Sequence, residues 1–193
     1  MSDPKLILIA GIDEAGRGPL AGPVSAAAVI LPDHYDLPGL GDSKKLTEKR
    51  RDILEPLIKK QAIAWAVAGA SVQEIETLNI LKASQLAMRR ALKSLGVVVD
   101  KALVDGNQDP KLGVLTELIV GGDGIVPCIS AASVLAKTAR DRWMRELDLF
   151  YPGYGLSGHK GYGAAMHQAA ILKLGPSPIH RKLFLRKLLG GKT

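Results

Sequence analysis

The sequence predicts an α/β fold in which a mixed β-sheet carries helices on both faces. Short apolar segments bounded by glycine and proline alternate along the chain with longer segments of helical period. The chain has 193 residues, of which 47% are hydrophobic and 23% are charged, and this balance is typical of a protein with one packed core. We therefore expect a single domain over residues 1–193.

The first two strands are expected to form a hairpin. The apolar segment from Ile7 to Ile12 predicts a buried strand that reaches two adjacent acidic residues, Asp13 and Glu14, where a glycine-rich loop begins. Residues 23–32 are apolar and bounded by prolines, which predicts the second strand on the far side of that loop.

Helices and strands alternate over the rest of the chain. The spacing of apolar residues predicts helices over roughly 48–60, 81–95 and 129–147. Further strands are expected over 62–70, 101–105 and 118–120, and basic helices follow at the C-terminus.

Four acidic residues lie at strand ends or in glycine turns, namely Asp13, Glu14, Asp105 and Asp123. If these ends converge, the carboxylates repel one another, so the cluster persists best when cations neutralise it. The one cysteine and four histidines lack zinc-site spacing, and an all-oxygen set suits Mg²⁺ or Mn²⁺. Two such ions can hydrolyse a phosphodiester, so the cluster predicts a metal-dependent nuclease.

Two features of the first motif leave other interpretations open. Consecutive strand residues point to opposite faces, so Asp13 and Glu14 cannot both point straight into one site unless the strand bends. A strand-end Asp-Glu pair can also be a solvated turn. In the loop that follows, Gly16 and Gly18 let a phosphate or a sugar approach the backbone, and Arg17 adds a positive charge. The glycine spacing does not fit a dinucleotide-binding fingerprint, which argues against a nucleotide cofactor.

The net charge of +7 is concentrated at the C-terminus. Residues 149–193 contain seven lysine and arginine residues and no acidic residue. This predicts a surface that binds nucleic acid, and a solubilising surface or a helix on a membrane surface are the alternatives. The sequence has no apolar run of about 18 residues, so we expect no membrane span and a cytoplasmic protein.

Six motifs together resemble the ribonuclease HII family, the bacterial type 2 ribonucleases H. They are GIDEAGRGPLAGPVSAAAVIL, GLGDSKKLTEKRR, LNILKASQLAMRRAL, LVDGN, GGDGIVPCISAASVLAKTARD and YGLSGHKGYG, and the similarity extends over roughly residues 6–185. The resemblance implies a ribonuclease-H-like fold with a basic helical C-terminal extension over about 160–193.

The resemblance also implies roles for particular residues. The family's metal-binding acids fall on the same four carboxylates that the strand ends single out. Its Gly-Arg-Gly motif, which reads the 2′-OH at the RNA–DNA junction, falls on Gly16, Arg17 and Gly18. Its junction-sensing tyrosine falls on Tyr162, whose ring would pack on the sugar of the following deoxynucleotide. Three lysines are placed for backbone phosphates, namely Lys44, Lys45 and Lys160.

The activity implied is hydrolysis of the RNA strand of RNA–DNA hybrids, together with nicking on the 5′ side of single ribonucleotides in duplex DNA. Two divalent ions, Mg²⁺ or Mn²⁺, would act in a monomer and leave 3′-OH and 5′-phosphate ends. Two other functions stay open at this point, a DNA junction nuclease on a similar fold and a non-catalytic protein that binds RNA–DNA hybrids.

Overall fold

The structure is a computed structural model, and it describes residues 7–41 and 46–190 of the chain. Lys44 and Lys45 lie outside the described residues. No helix in the described part of the chain is long and apolar enough to cross a membrane.

The centre of the molecule is a five-stranded sheet. Its strands are β1 (Ile9–Ala15), β2 (Val24–Ile30), β3 (Ala64–Ala70), β4 (Lys101–Asp105) and β5 (Leu115–Ile119). Their spatial order is β3-β2-β1-β4-β5. The pairs β1–β2 and β2–β3 are antiparallel, whereas β1–β4 and β4–β5 are parallel. The predicted hairpin and the predicted mixed sheet are both confirmed.

Seven helices and one 3₁₀ turn are described around this sheet. They are α1 (Glu48–Gln61), α2 (Val72–Leu78), α3 (Ile80–Lys93), the 3₁₀ turn Gly122–Gly124, α4 (Pro127–Phe150), α5 (Leu156–His159), α6 (Ala165–Leu174) and α7 (Lys182–Leu185).

Each face of the sheet has its own core. Alternate residues of β2 divide between the two faces, so Ala26 and Ala28 pack with Ala87 and Met88 of α3. On the opposite face, β2 packs against α1 and α4 through apolar side chains that include Leu54 and Leu135. Helices therefore cover both faces, as the sequence predicts.

Three elements differ from the predictions. Strand β1 begins at Ile9 and continues to Ala15, so Asp13 and Glu14 lie inside the strand and still pair with β2. Strand β5 covers Leu115–Ile119 and not 118–120. The sequence analysis missed α2 altogether, although Ser71 and Glu74 form a capping box at its start.

The C-terminal segment packs onto the loop between β1 and β2 and onto the far end of α4. A third apolar cluster joins Ala21 and Met144 to Leu156, Ile171 and Leu185. The basic character of this segment is therefore only partly a surface property. Arg181 is fully buried, so its assignment to a polyanion-binding surface is wrong.

Candidate active site

The parallel pairing of β1 and β4 brings the first two carboxylates together. Ile12 lies opposite Val104, so the next residue of each strand, Asp13 and Asp105, stands at the same edge of the sheet. Ile12 and Val104 are completely buried, and the burial of these two side chains fixes the register between β1 and β4.

Asp123 joins them from the 3₁₀ turn that follows β5. Its backbone N–H donates to Oδ1 of Asp105 at 3.4 Å, and its carbonyl oxygen accepts a hydrogen bond from the Ser130 hydroxyl of α4 at 2.7 Å. One carboxylate oxygen from each of Asp13, Asp105 and Asp123 lies within 4.8 Å of the others. Three segments that are distant in sequence thus form one acidic cluster.

The electrostatics of this cluster favour a bound cation. Burial raises the pKa of the Asp13 carboxyl well above its ordinary value, and the charges of Glu14 and Asp105 raise it further. Hydrogen bonds from the Ser133 hydroxyl and from the Glu14 N–H, the latter at 2.7 Å, act in the opposite direction. Asp13 and Asp123 are buried and Asp105 is partly buried, and such a set of mutually repelling oxygen donors fits a hard divalent ion, so the residues present suit Mg²⁺ or Mn²⁺.

Glu14 faces the same cleft but has a different partner. Burial raises the pKa of its carboxyl, and the Arg17 guanidinium, 3.3 Å from Oε1, opposes that shift. Asp13 and Glu14 both line the cleft although they are consecutive in a strand. The three-carboxylate cluster does not include Glu14, so the structure brings three of the four predicted acids into mutual contact distance and the fourth to the cleft wall.

The Gly-Arg-Gly loop and Tyr162 form the other side of this cleft, which has a volume of about 260 Å³. Its lining residues are Asp13, Glu14, Ala15, Gly16, Arg17, Gly18, Asp105, Ser133, Lys137 and Tyr162. A Cβ atom placed on Gly18 would lie 3.8 Å from Cε1 of the Tyr162 ring. The ring therefore stands beside Gly18, and it remains 44% exposed.

Lys160, the one predicted lysine within the described residues, does not line this cleft. The Lys160 side chain is 11% exposed, and its ammonium group donates to the carbonyl of Ser157 and lies 3.5 Å from a Glu48 carboxylate oxygen. Lys44 and Lys45 lie outside the described residues.

Sequence analysis missed two residues of the cleft, Ser133 and Lys137 of α4. They are four residues apart and therefore share one face of the helix. Lys137 also forms an ion pair with Asp141 at 2.7 Å. The available signal was a polar stripe, formed with Ser130, that interrupts an alanine-rich helix face.

Comparison with known proteins decides the family. The Ribonuclease HII family model matches residues 10–187. The chain belongs to the ribonuclease HII family. Curated ribonuclease HII proteins from Azoarcus sp. (strain BH72) and Dechloromonas aromatica (strain RCB) are each 55% identical to it, covering 96% and 94% of this chain and 92% and 94% of their own lengths.

The fold agrees with a solved ribonuclease H2 from Pyrococcus horikoshii OT3. The TM-score is 0.77 at 26% identity, and the match covers 94% of this chain and 97% of that chain. The predicted ribonuclease-H-like fold is therefore confirmed. As a ribonuclease HII family member, the protein is a metal-dependent endoribonuclease with ribonuclease H activity on RNA–DNA hybrids.

Proposed function

We propose that the protein also nicks duplex DNA on the 5′ side of a single embedded ribonucleotide, leaving 3′-OH and 5′-phosphate ends. One observation carries this proposal. Three of the four acidic residues, Asp13, Glu14 and Asp105, line the same cleft as the loop that is suited to read a ribose, and Asp123 adjoins them. With a scissile phosphate among the carboxylates, the 2′-OH of the ribose attached to that phosphate would be within reach of the loop. The 2′-OH is the group by which RNA differs from DNA.

We assign metal binding to Asp13, Glu14, Asp105 and Asp123. The first, third and fourth supply oxygens within 4.8 Å of one another, and Glu14 supplies a further carboxylate at the cleft wall. Two divalent cations held there, Mg²⁺ or Mn²⁺, would activate the attacking water and stabilise the leaving oxygen. The chain's part is to hold these oxygens in place, which the Ser133 hydroxyl and the Glu14 N–H do for Asp13.

The other side of the cleft would select the ribonucleotide. Gly18 has no side chain to keep a sugar away from the backbone, the Gly16 backbone lines the same cleft, and Arg17 is exposed beside them. The partly exposed Tyr162 ring offers a flat surface on which the sugar of the next deoxynucleotide can pack. A substrate therefore has to present a ribose followed by a deoxyribose to use both contacts.

Contacts with backbone phosphates are assigned to Lys44, Lys45 and Lys160. The Lys160 ammonium would have to leave Glu48 to reach a phosphate, because it lies 3.5 Å from that carboxylate. Such contacts hold the duplex in register but do not read the sugar.

Substitution of single carboxylates tests the metal assignment. Asp13→Asn and Asp105→Asn should each lower the rate of nicking on the order of 1,000-fold, because loss of a metal ligand removes several kcal/mol of transition-state stabilisation. Asp109→Asn is the matched control, since Asp109 lies on an exposed loop and pairs with Lys111 at 2.8 Å. An undiminished rate in Asp105→Asn, with a circular dichroism spectrum like the parent's, refutes the assignment.

A further inference from the structure

Two buried arginines lie beneath the Gly-Arg-Gly loop and outside the cleft. Arg140 belongs to α4 and Arg181 immediately precedes α7, and neither side chain has any exposed surface. A buried guanidinium is costly unless its N–H groups are satisfied. Here the acceptors that satisfy them are backbone carbonyls of the loop and of the segment that carries Tyr162.

Arg181 binds the loop at both of its ends. Its Nη1 donates to the carbonyl of Arg17 at 2.9 Å, and Nη2 donates to the carbonyl of Gly16 at 2.7 Å. The Nε and Nη2 groups also donate to the carbonyl of Gly22, at 3.0 and 2.8 Å, and Nη2 lies 3.3 Å from the carbonyl of Pro23. One planar guanidinium group therefore fixes four carbonyl oxygens, those of Gly16, Arg17, Gly22 and Pro23.

These bonds determine where two amide protons point. A trans peptide unit is planar, and its C=O and N–H groups point in opposite directions. When the carbonyls of Gly16 and Arg17 turn inward to Arg181, the N–H groups of Arg17 and Gly18 must turn away from it. Both of those residues line the cleft, whereas Arg181 is fully buried and does not.

Arg140 connects the same loop to the segment of Tyr162. Its Nε donates to the carbonyl of Pro23 at 3.1 Å and its Nη2 to that of Ala21 at 3.2 Å. Its Nη1 donates to the carbonyl of Lys160, two residues before Tyr162, at 2.9 Å. The Arg140 Cζ atom lies 5.8 Å from the centroid of the Tyr162 ring.

The glycine at position 16 completes this arrangement. Gly16 has a φ of +98°, and a Cβ atom at this position would lie 2.0 Å from Nε of Arg140. The backbone of the loop therefore rests directly on the guanidinium, which leaves no room for the loop to move inward.

We propose that Arg181 and Arg140 are positioning residues for ribonucleotide recognition. Arg181 turns the Arg17 and Gly18 amides toward the position of the ribose 2′-OH, and Arg140 holds that loop and the Tyr162 segment as one unit. This inference rests on the proposed function, because it explains how the ribose-reading side of the cleft is built. Neither arginine touches the substrate.

Lysine cannot take over this task. Arginine presents five donors in a fixed planar fork, whereas lysine presents three donors on one nitrogen atom. A lysine at position 181 keeps the charge but cannot span the carbonyls at both ends of the loop. Arg181→Lys is therefore the informative variant, because it removes geometry and retains charge.

The test is equilibrium binding to two DNA duplexes of one sequence, one with a single ribonucleotide and one without. Binding is measured in Ca²⁺, with intact substrate verified on a gel. We expect the parent to bind the ribonucleotide duplex more tightly. Arg181→Lys should reduce this preference by about tenfold, the contribution of one hydrogen bond from a preorganised donor, and leave the affinity for all-DNA duplex within twofold.

Arg89→Lys is the matched control, since Arg89 also donates to a backbone carbonyl, that of Pro110 at 2.7 Å, but belongs to α3. It should retain the full preference. A purely structural role for Arg181 would lower the melting temperature and leave the preference of the folded protein unchanged. Retention of the preference in folded Arg181→Lys therefore overturns the inference.

Two further outcomes are decisive. If Arg181→Lys does not fold, Arg140→Lys takes its place, and retention of the parent's preference in that variant overturns the inference. If the parent itself shows no preference for the ribonucleotide duplex, the proposed function fails and the inference fails with it. If the parent shows the preference and the arginine variants retain it, only the inference fails and the proposed function stands.

Discussion

The pKa of the Asp13 carboxyl is set by contributions of opposite sign. Burial and the charges of Glu14 and Asp105 raise its pKa, while hydrogen bonds from Ser133 and from the Glu14 N–H lower it. Metal ions bind only the deprotonated carboxylate, so metal affinity must rise with pH until Asp13 has lost its proton. The hydrogen bond from Ser133 therefore lowers the pH down to which Asp13 stays deprotonated and able to bind a metal ion.

Ser133→Ala should weaken metal binding by about 10-fold below neutral pH, because the Asp13 pKa rises when its hydrogen bond is lost. The curve of affinity against pH should move to higher pH and approach the parent's curve once Asp13 is deprotonated in both proteins. Titration with Mn²⁺ in the absence of substrate, between about pH 5 and pH 8, measures this shift.

Ser25→Ala provides the control for that substitution. Ser25 is also a buried serine, and its hydroxyl donates to the carbonyls of Ala15 and Ala136 and to no carboxylate among the described residues. We expect a loss of stability with an unchanged pH profile of metal binding. Identical profiles for Ser133→Ala and the parent would show that Ser133 does not act on Asp13.

At the scale of single residues, the acidic residues of the site are easier to predict from the sequence than the buried arginines that position the neighbouring loop. Asp13, Asp105 and Asp123 can be identified because each acid stands directly after an apolar segment or within a glycine turn, where an ordinary fold gains nothing from it. The sequence does not reveal Arg140 and Arg181, because most of their partners are backbone carbonyls more than 100 residues away and no local pattern encodes such contacts.

At the scale of elements, β1 packs directly against the backbone of α4. A Cβ atom on Gly11 would lie 2.1 Å from the carbonyl carbon of Cys128, in the first turn of α4. The strand that carries Asp13 and Glu14 is thus pressed against the helix that carries Ser133 and Lys137. Glycine at position 11 sets the distance between the two walls of the site.

Gly11→Ala should lower the free energy of unfolding by about 1–3 kcal/mol or more, because a methyl group there must displace the α4 backbone. Urea denaturation measures the loss. Gly158→Ala is the control, since nothing lies within 4 Å of a Cβ at that position. Equal midpoints for Gly11→Ala and the parent would contradict the close packing.

Element boundaries were predicted less well than element types. Asp13 and Glu14 were expected at the point where the strand opens into the glycine-rich loop, whereas β2 continues to pair with the strand to Ala15. Helix α2 was not predicted from the sequence, because its seven residues are too few to show a clear apolar period. Its capping box, Ser71 with Glu74, was the signal that could have identified it.

Across the whole molecule, topology explains the site. The parallel pairs β1–β4 and β4–β5 bring strand ends from three parts of the chain to one edge of the sheet, and α4 closes that edge. The distribution of charge is also a property of the whole chain. The described C-terminal cations that remain exposed are Lys173, Lys182, Arg186 and Lys187.

These exposed cations are expected to contact phosphates. The triple substitution of Lys182, Arg186 and Lys187 by alanine should weaken duplex binding and reduce the slope of log affinity against log salt by about 2–3, because fewer counterions are released. Deleting residues from 176 onward is a poorer test, because it also removes the buried Arg181.

Substitution of Lys60, Lys82 and Lys93 by alanine removes the same charge from α1 and α3 and serves as the control. These three lysines are exposed as well. A triple C-terminal variant that keeps the parent's salt slope would show that this surface does not contact the duplex.

The central claim is that one cleft both reads a ribose and cleaves beside it. The most direct measurement uses a labelled DNA duplex with one ribonucleotide, next to an all-DNA duplex of the same sequence, with Mg²⁺, Mn²⁺ or EDTA. The account predicts a metal-dependent nick on the 5′ side of the ribonucleotide and none in the all-DNA duplex. Cleavage of both duplexes, or binding of the ribonucleotide duplex without a nick by the folded, metal-supplied protein, would contradict it.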